Sequence, residues 1–294
     1  MKYAITTGNF DGVHTGHIFL IEQLIVKAKQ LGLVPAVLTF EPHPKTFFFP
    51  DRSNPLLVNL KERVSLLKSM GVEVFVETFN QDFADLSALE FIDQIIQKKY
   101  NGHYYYLGYD HQFGKNREKI DSDQMVQNSQ SPMQIERAEP FYYQSQSVSS
   151  SKIKALLESG DLHLANAMLG RAYAISGQVV RGDQIGRTIG FPTANIEVGD
   201  NNWVVPEYGV YAVKVKLESG IFDGVCNIGV RPTLSGKSLR IEAHIFDFNL
   251  DVYDQNIQIE LRFHLRTEQR FSDLEALKKQ ILKDKIQAQY LLSL

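Results

Sequence analysis

Two histidines three residues apart, His14 and His17, lie in a glycine-rich stretch and are well suited to phosphate chemistry. The stretch has the sequence GNFDGVHTGH and begins at Gly8. Side chains three apart reach the same side of a helical turn. Glycines let the backbone approach a ligand closely, and the free N–H groups of a helix N-terminus attract anions. Two imidazoles at that positive end therefore suit a polyphosphate better than a metal cation, and no third ligand stands near them.

The elements around this stretch place it in a strand-to-helix turn. The apolar run Tyr3-Ala4-Ile5 before it predicts a short strand. Behind it, apolar residues recur at helical spacing from residue 18 to 28, and Gly32 ends the pattern. The hydroxyl of Thr15 makes this residue the expected N-cap of the helix.

The rest of the first half alternates strands with helices. Strands are predicted at 36–40, 72–78, 104–107 and 134–137, and amphipathic helices at 61–70 and 86–100, the latter with Leu89 facing inward. This order predicts a parallel sheet with right-handed crossovers. Two prolines in Glu41-Pro42-His43-Pro44-Lys45 predict an extended loop at the carboxyl end of a strand, where such sheets bind ligands.

The second half predicts an antiparallel barrel. Strands alternate with turns from about residue 174 to 271, including a run in which every second residue is apolar and expected on one buried face: Ile257, Ile259, Leu261, Phe263 and Leu265. A helix is predicted over 272–292, with Ser272 and Glu275 as a capping box. Its expected packing face comprises Leu274, Leu277, Ile281 and Leu282.

Two stretches of the second half have candidate chemistry. Residues 181–195, RGDQIGRTIGFPTAN, contain three glycines, Gly182, Gly186 and Gly190, and two arginines, which favour a phosphate cradle of backbone amides. It is not a Walker loop, because the GK[ST] ending is missing. In a predicted strand further on, Glu242 and His244 share the face opposite Ile241 and Ala243.

The composition limits the classes of protein to which this chain can belong. The 294 residues suggest about two domains, and 44% hydrophobic with 22% charged residues is typical of a globular protein. The net charge of −3 argues against nucleic acid as a partner. One cysteine, Cys226, excludes an intrachain disulfide, and we expect neither signal peptide nor membrane span. These features predict a cytoplasmic protein, while the oligomeric state stays open.

The first half resembles the HxGH nucleotidyltransferases, and GNFDGVHTGH with TFEPHP resembles bacterial FAD synthetases. The stretch from Gly108 to Arg117 resembles the second nucleotide motif of that family, with His111, Asn116 and Glu118 as departures. SSSKIK resembles the SSTxxR loop of the family, with Ser151 for its threonine and Lys154 for its arginine. The resemblance implies phosphate contacts from His14 and His17, further nucleotide contacts, and flavin contacts from Asp110 and Phe113. The further nucleotide contacts are Gly8, Phe10, Asp11, Gly12, Ser150, Ser151 and Lys154.

The second half resembles riboflavin kinases through GRTIGFPTAN and through the E-x-H strand around Glu242. The resemblance implies that Thr193 and Asn195 meet the nucleotide and its Mg²⁺, and that the three cradle glycines contact the nucleotide. It also implies that Glu242 is the catalytic base and that Arg266 lies near the flavin.

The two resemblances together imply a bifunctional riboflavin kinase/FAD synthetase. The expected architecture is an α/β nucleotidyltransferase domain of the Rossmann type over 1–158 and a β-barrel kinase domain with a C-terminal helix over 168–294. ATP with Mg²⁺ is the expected cosubstrate. Riboflavin would become FMN, and FMN would become FAD with release of pyrophosphate.

Three alternatives stay open. The departures in the second motif and Lys154 are compatible with a chain in which only the kinase works well. A flavin-binding regulatory protein would bind flavin without turning over ATP. An aminoacyl-tRNA synthetase shares HxGH but needs a tRNA-binding domain, against which the barrel and the acidic balance argue.

Overall fold

The computed structural model describes residues 1–109, 133–182, 186, 189–199, 202–233 and 236–294. The chain divides into two compact units, Met1–Ser150 and Ser151–Leu294. The division falls inside a helix, so the domain limits 1–158 and 168–294 stay a prediction.

The first unit contains a parallel sheet of five strands. Its strands are β1 (Tyr3–Thr7), β2 (Val34–Glu41), β3 (Glu73–Thr78), β4 (Gly102–Leu107) and β5 (Gln134–Arg137). Their order in the sheet is β3-β2-β1-β4-β5, and all neighbouring pairs are parallel. The chain runs from β1 through β2 to β3 and then returns to add β4 on the other side of β1, which makes the carboxyl ends of β1 and β4 a switch point where such sheets bind ligands. The predicted fold class of this half is confirmed.

Helices cover both faces of this sheet. They are α1 (Thr15–Leu31), α2 (Pro44–Phe48), α3 (Leu60–Ser69), α4 (Gln81–Ala84) and α5 (Ala88–Glu90), which continues as a π-helix over Phe91–Lys99. One core contains Ala4 and Val37 with the inner faces of α1 and α3, and the other contains Ile5, Leu38 and the π-helix. Leu89 is 39% exposed, so its predicted inward position is wrong. A small hairpin of β6 (Tyr142–Tyr143) and β7 (Gln146–Ser147) follows β5.

The second unit is a closed barrel, preceded in the sequence by two helices and followed by one. Helices α6 (Ser150–Glu158) and α7 (Leu162–Leu169) precede it, and α8 (Leu274–Leu292) follows it. Its strands are β8 (Tyr173–Val180), β9 (Ala194–Glu197), β10 (Gly209–Leu217), β11 (Gly220–Thr233), β12 (Gly236–Ile245) and β13 (Asn256–Thr267). The barrel order β10-β11-β12-β9-β8-β13 is antiparallel throughout, which confirms the predicted barrel.

Two register shifts in β13 overturn its predicted alternation. Leu261 pairs with the buried Val213, but Phe263 pairs with Ala212 and packs in the cluster beneath α8. The five apolar residues of β13 therefore divide between the two sides of the barrel wall, because a bulge reverses the direction of every later side chain.

The C-terminal helix also departs from its prediction. Asp273, not Ser272, is the N-cap, and its carboxylate accepts from the Ala276 N–H at 2.8 Å. Leu274 and Leu282 are 56% and 51% exposed, so they do not pack as expected. Asp284 and Ala288 are buried instead. A carboxylate at the N-cap satisfies a free N–H group and also opposes the positive helix end, which favours Asp273 over the neighbouring hydroxyl.

Candidate active sites

The turn between β1 and α1 has an unusual backbone. Phe10 and Val13 adopt φ values of 49° and 41°, and Gly12 adopts 85°. Positive φ is rare for a residue other than glycine and is a genuine outlier for β-branched Val13. Such strain persists only where surrounding contacts fix the conformation, and it is typical of ligand-binding turns.

Three hydrogen bonds from other parts of the chain hold this turn in its conformation. The Thr39 hydroxyl donates to the Asn9 carbonyl oxygen at 3.2 Å. Asp11, which is 2% exposed, accepts from the Leu57 N–H through Oδ1 at 2.8 Å. The Asp11 carbonyl accepts from the Ser150 hydroxyl at 2.9 Å. Asp11 and Ser150 therefore hold the turn in place.

His14 and His17 lie together at the start of α1. Their rings stack with centroids 3.6 Å apart at an angle of 14°. His14, rather than Thr15, is the N-cap, and its Nδ1 accepts from the His17 N–H at 3.3 Å. A neutral His14 therefore has its proton on Nε2, where it can donate to a ligand. The prediction that Thr15 caps the helix is wrong, but the expected pairing of the two imidazoles is confirmed.

Gly16 contributes the space for this pairing. A Cβ at Gly16 would lie 3.3 Å from His14 Nδ1, which is tighter than ordinary contact. The glycine of HxGH thus lets the first imidazole lie over the helix N-terminus.

The segment after β2 is helical rather than extended. His43 caps α2, with its Nδ1 accepting from the Lys45 N–H at 3.1 Å, and it is 6% exposed. Pro44 is the first residue of α2, a position where the missing N–H costs nothing. The predicted extended loop therefore holds only as far as His43, with φ −58° and ψ 132°, and is wrong from Pro44 onward. The segment nevertheless follows the strand that neighbours β1, at the same sheet edge as His14.

The predicted ligand contacts of four further residues of this site are not tested by the structure. Ser151 and Lys154 belong to the second compact unit, and their predicted phosphate contacts stay a prediction. Asp110 and Phe113, with the rest of the second nucleotide motif, lie outside the described residues.

The second site is a row of polar side chains across three barrel strands. Glu242 on β12 pairs with Asn195 on β9 on one side and with Asn227 on β11 on the other. Directly opposed residues of antiparallel strands have Cβ atoms about 5 Å apart on the same face. The strand register thus brings the predicted base Glu242 beside the predicted Mg²⁺ contact Asn195.

Two of the predicted cradle glycines lie against this row. A Cβ at Gly182 would overlap with the amide of Asn195, and one at Gly186 would overlap with the Phe191 carbonyl and lie 3.4 Å from the Thr193 hydroxyl. The Gly186 carbonyl accepts from the N–H groups of Ile189 and Phe191, and Gly190 has φ 88°. Gly182 and Gly186 therefore leave room for Asn195, the Phe191 carbonyl and Thr193, where a side chain would collide.

Two side chains on the strand of Glu242 complete its surroundings. Arg240 donates to Glu242 Oε1 at 2.6 Å. His244 Nδ1 lies 2.8 Å from the Pro192 carbonyl oxygen, which can only accept, so Nδ1–H is the donor. Burial lowers the pKa of His244 despite that hydrogen bond, and this favours the neutral ring. Neither residue was predicted to have a role, although both share the face of Glu242 by strand alternation.

Arg266 has a different surrounding from the one expected. Its Nε and Nη2 donate to the buried Asp284 of α8, with Nη2 at 2.8 Å from Oδ2. Its guanidinium carbon lies 5.8 Å from the Phe271 ring centroid. Arg266 thus connects β13 to α8, and its predicted flavin contact stays a prediction.

Two further findings concern the described residues as a whole. Within them, no group of three His, Cys, Asp or Glu side chains converges to hold a metal ion. None of the helices in the described ranges is long and apolar enough to cross a membrane.

The fold defines a class of protein: a chain that joins a five-stranded parallel α/β unit to a closed antiparallel barrel, with a group of polar side chains on each. The FAD synthetase family model matches residues 1–152, and the riboflavin kinase family model matches residues 169–292. The order of the two matches is the order of the two compact units.

Relatives that match almost the whole chain agree with the two family matches. The bifunctional riboflavin kinase/FMN adenylyltransferase of Bacillus subtilis is 39% identical over 98% of this chain and 92% of its own length. Its counterpart in Haemophilus influenzae is 38% identical over 96% of this chain and 91% of its own length. The chain belongs to the family of bifunctional riboflavin kinase/FMN adenylyltransferases. It is an enzyme that makes FMN from riboflavin and FAD from FMN.

A solved structure shares the fold of the whole chain. It is described as a macrolide-efflux protein from Streptococcus pneumoniae and has a TM-score of 0.90 with 28% identity, over 98% of this chain and 94% of its own. Its description names a different activity, and a shared fold does not by itself transfer function. The two family matches and the more similar relatives therefore decide the activity.

Proposed function

We propose that each compact unit performs one of the two reactions with ATP as the phosphate donor. In the barrel, ATP and riboflavin give FMN and ADP. In the parallel α/β unit, ATP and FMN give FAD and pyrophosphate. The family matches to the separate halves and the two separate clusters of polar residues support this division.

In the barrel, Glu242 takes the proton of the ribityl 5′-hydroxyl as that oxygen attacks the γ-phosphorus. General base catalysis requires the carboxylate within hydrogen-bond reach of the hydroxyl. Arg240 restricts the carboxylate through Oε1. Backbone N–H groups at Gly182, Gly186 and Gly190 bind the phosphates, and phosphoryl transfer requires the γ-phosphorus in line with the hydroxyl.

The donor set of this site fits Mg²⁺. Asn195 and Thr193 offer neutral oxygen atoms beside a glycine cradle that a Cβ would fill. Mg²⁺ prefers oxygen ligands, keeps several waters and is commonly bound together with substrate phosphates. Bound there, the ion would neutralise charge on the phosphates, while Thr193 and Asn195 would hold it.

In the α/β unit, the N–H groups at the start of α1 and the imidazoles of His14 and His17 bind the polyphosphate. His14 donates through Nε2 to a phosphate oxygen, and charge accumulates on the departing pyrophosphate. Donors already fixed in place stabilise that charge without rearrangement. Asp11 and Ser150 act indirectly, by holding the turn.

Cytoplasmic location is part of the same proposal. The one cysteine, Cys226, is buried and leaves no intrachain disulfide, which is typical of proteins in reducing compartments. ATP, riboflavin and FMN are the proposed small-molecule partners.

The pairing of Glu242 with Asn195 across β12 and β9 is the observation that carries the proposal. Its test is a pair of variants assayed for both products by chromatography. We expect Glu242→Gln to lower FMN formation at least about 100-fold, because general base catalysis contributes factors of 10²–10⁴. FAD formation from supplied FMN should remain. We expect His17→Ala to give the opposite pattern, and a folded variant that loses both reactions would contradict the division.

A further inference from the structure

Arg63 is a fully buried arginine directly behind the phosphate-binding turn. It lies on α3, and its side chain is 0% exposed. Its Nη1 donates to the Asn9 carbonyl at 3.0 Å, and its Nη2 donates to the Phe40 carbonyl at 2.9 Å. Nη2 also lies 3.1 Å from the Glu41 carboxylate. One guanidinium thus joins the turn after β1 to the end of β2.

These contacts hold the strained part of the turn. The Asn9 carbonyl belongs to the peptide that leads into Phe10, whose φ is 49°. That carbonyl accepts from both Arg63 and the Thr39 hydroxyl. Two donors on one carbonyl fix the plane of the peptide, and this opposes the relaxation of Phe10 to an ordinary conformation.

Burial of a charge requires a reason. An arginine without water needs paired acceptors, and a buried charge that is not paired costs several kcal/mol. Burial lowers the pKa of Arg63, while Glu41 and Asp11 raise it. Both acidic partners belong to the segments that form the edge of the site, so the charge network encloses the turn.

We propose that Arg63 is a positioning residue for adenylyl transfer, which fixes the peptide after Asn9 so that the turn and His14 meet the polyphosphate in the reactive geometry. This rests on the proposed function of the α/β unit. Arg63 does not touch substrate. It acts through the Asn9 carbonyl, and its loss allows the turn to relax away from the phosphates.

A positioning role predicts a specific kinetic pattern. ATP still binds, because the N–H groups at the start of α1 and both imidazoles remain. The bound phosphates lie less often in the reactive geometry, and a displacement of about 1 Å can lower the rate about 100-fold. The effect should therefore appear in kcat for FAD formation and much less in the dissociation constant of ATP.

The test compares Arg63→Lys, Arg63→Met and the control Lys68→Met in the full-length protein. Lysine keeps the charge but not the planar fork that reaches two carbonyls. Methionine keeps an apolar side chain of similar length but has neither the charge nor the hydrogen-bond donors. Lys68 is an exposed cation on the same helix, so its substitution removes one charge without touching the turn. The measurements are kcat for FAD formation, the Mg-ATP affinity of the α/β unit from the ATP dependence of FAD formation, thermal unfolding, and FMN formation as an internal reference.

We expect Arg63→Lys to lower kcat for FAD formation roughly 10- to 100-fold, with Mg-ATP affinity changed less than about threefold. Arg63→Met should lower kcat further, and Lys68→Met should resemble the wild type. FMN formation should be unchanged in all three. An Arg63→Lys protein with wild-type kcat would overturn the proposal, as would a kcat that falls only in step with the folded fraction.

Failure of this inference is distinguishable from failure of the proposed function. If His17→Ala leaves FAD formation intact, the assignment of the site is wrong whatever Arg63 does. If His17→Ala abolishes FAD formation and Arg63→Lys is fully active, the site stands and only the role of Arg63 is overturned.

Discussion

His244 connects the strand of the proposed base to the turn that holds Thr193. Its Nδ1–H donates to the Pro192 carbonyl, and Phe191 packs edge-on against its ring with centroids 5.6 Å apart. We expect His244→Leu to lower kcat/KM for FMN formation about tenfold, which corresponds to a net hydrogen-bond contribution of ~1.4 kcal/mol. His244→Asn places an amide N–H near the position of Nδ1 and should stay within about threefold of the wild type. Steady-state kinetics checks both variants, and equal losses in the two would contradict the role of the hydrogen bond.

The same residue makes stability depend on pH. Burial lowers the pKa of His244, so the folded protein binds a proton there less readily than the unfolded chain. Its contribution to stability is complete above the usual histidine pKa of about 6.5 and decreases as the pH falls below it. We expect the melting temperature of the wild type to fall more between pH 7 and pH 5 than that of His244→Asn. Thermal unfolding followed by circular dichroism across this range tests it, and parallel curves would count against a buried neutral ring.

The residues that sequence reasoning found and missed differ in a physical way. His14 and His17 lie three residues apart in one motif, so their spacing alone predicts that they meet. Asn195 and Glu242 belong to two motifs that the family resemblance singled out, and only the register of β12 against β9 brings them together. Arg63 belongs to no motif, but it lies three residues after Leu60 and four before Leu67, within the apolar stripe of α3. A charge inside such a stripe indicates a buried partner, and only the tertiary structure shows that the partner is the turn around Asn9.

At the scale of elements, α8 depends on one buried ion pair. Asp284 accepts from Arg266 on β13 and from Gln280 on the same helix. Removing Asp284 leaves the Arg266 guanidinium without its carboxylate, and such a loss costs about 3 kcal/mol for a buried pair. We expect Asp284→Ala to destabilise the barrel unit by about that amount in urea unfolding.

A matched control separates this effect from charge removal on the helix. Glu275 forms an exposed pair with Lys278 on α8, and exposed pairs contribute roughly 0–1 kcal/mol. Glu275→Ala should therefore unfold close to the wild-type urea midpoint. Equal destabilisation by the two variants would show that Asp284 has no special part in attaching α8.

The type of each helix and strand could be predicted from the sequence, but where each element ends and which of its faces is buried were harder to predict. Continuous apolar runs identified β1, β2 and β4 because parallel strands are buried on both faces. The two register shifts against β10 changed which side of β13 faces the core, and no residue in the strand signals them. The helix after residue 86 was predicted, but its π geometry over Phe91–Lys99 was not, because the i→i+5 bonding leaves no distinct sequence period in so short a segment.

At the scale of the molecule, the two units have separate hydrophobic cores. The cores of the parallel sheet contain residues of Met1–Ser150 alone, whereas the cluster under α8 contains Val210, Ala212 and Ala288 of the second unit. The strands of each candidate site belong to one unit, β1 to the first and both β9 and β12 to the second. A substitution of one active residue is therefore expected to leave the geometry of the other site intact.

This separation predicts that two inactive chains restore the complete pathway when mixed. On its own, neither Glu242→Gln nor His17→Ala converts riboflavin to FAD. Glu242→Gln makes no FMN, and His17→Ala does not transfer the adenylyl group to FMN. A mixture with Mg-ATP should make FAD after a lag, because FMN released by one chain is substrate for the other. Chromatography of timed samples should show FMN rising before FAD. The control is Glu242→Gln alone, supplied with FMN at the concentration reached in the mixture, which should make FAD. If this control makes FAD but the mixture accumulates FMN without FAD, FMN does not pass between chains. The barrel must then retain FMN for the α/β unit of its own chain.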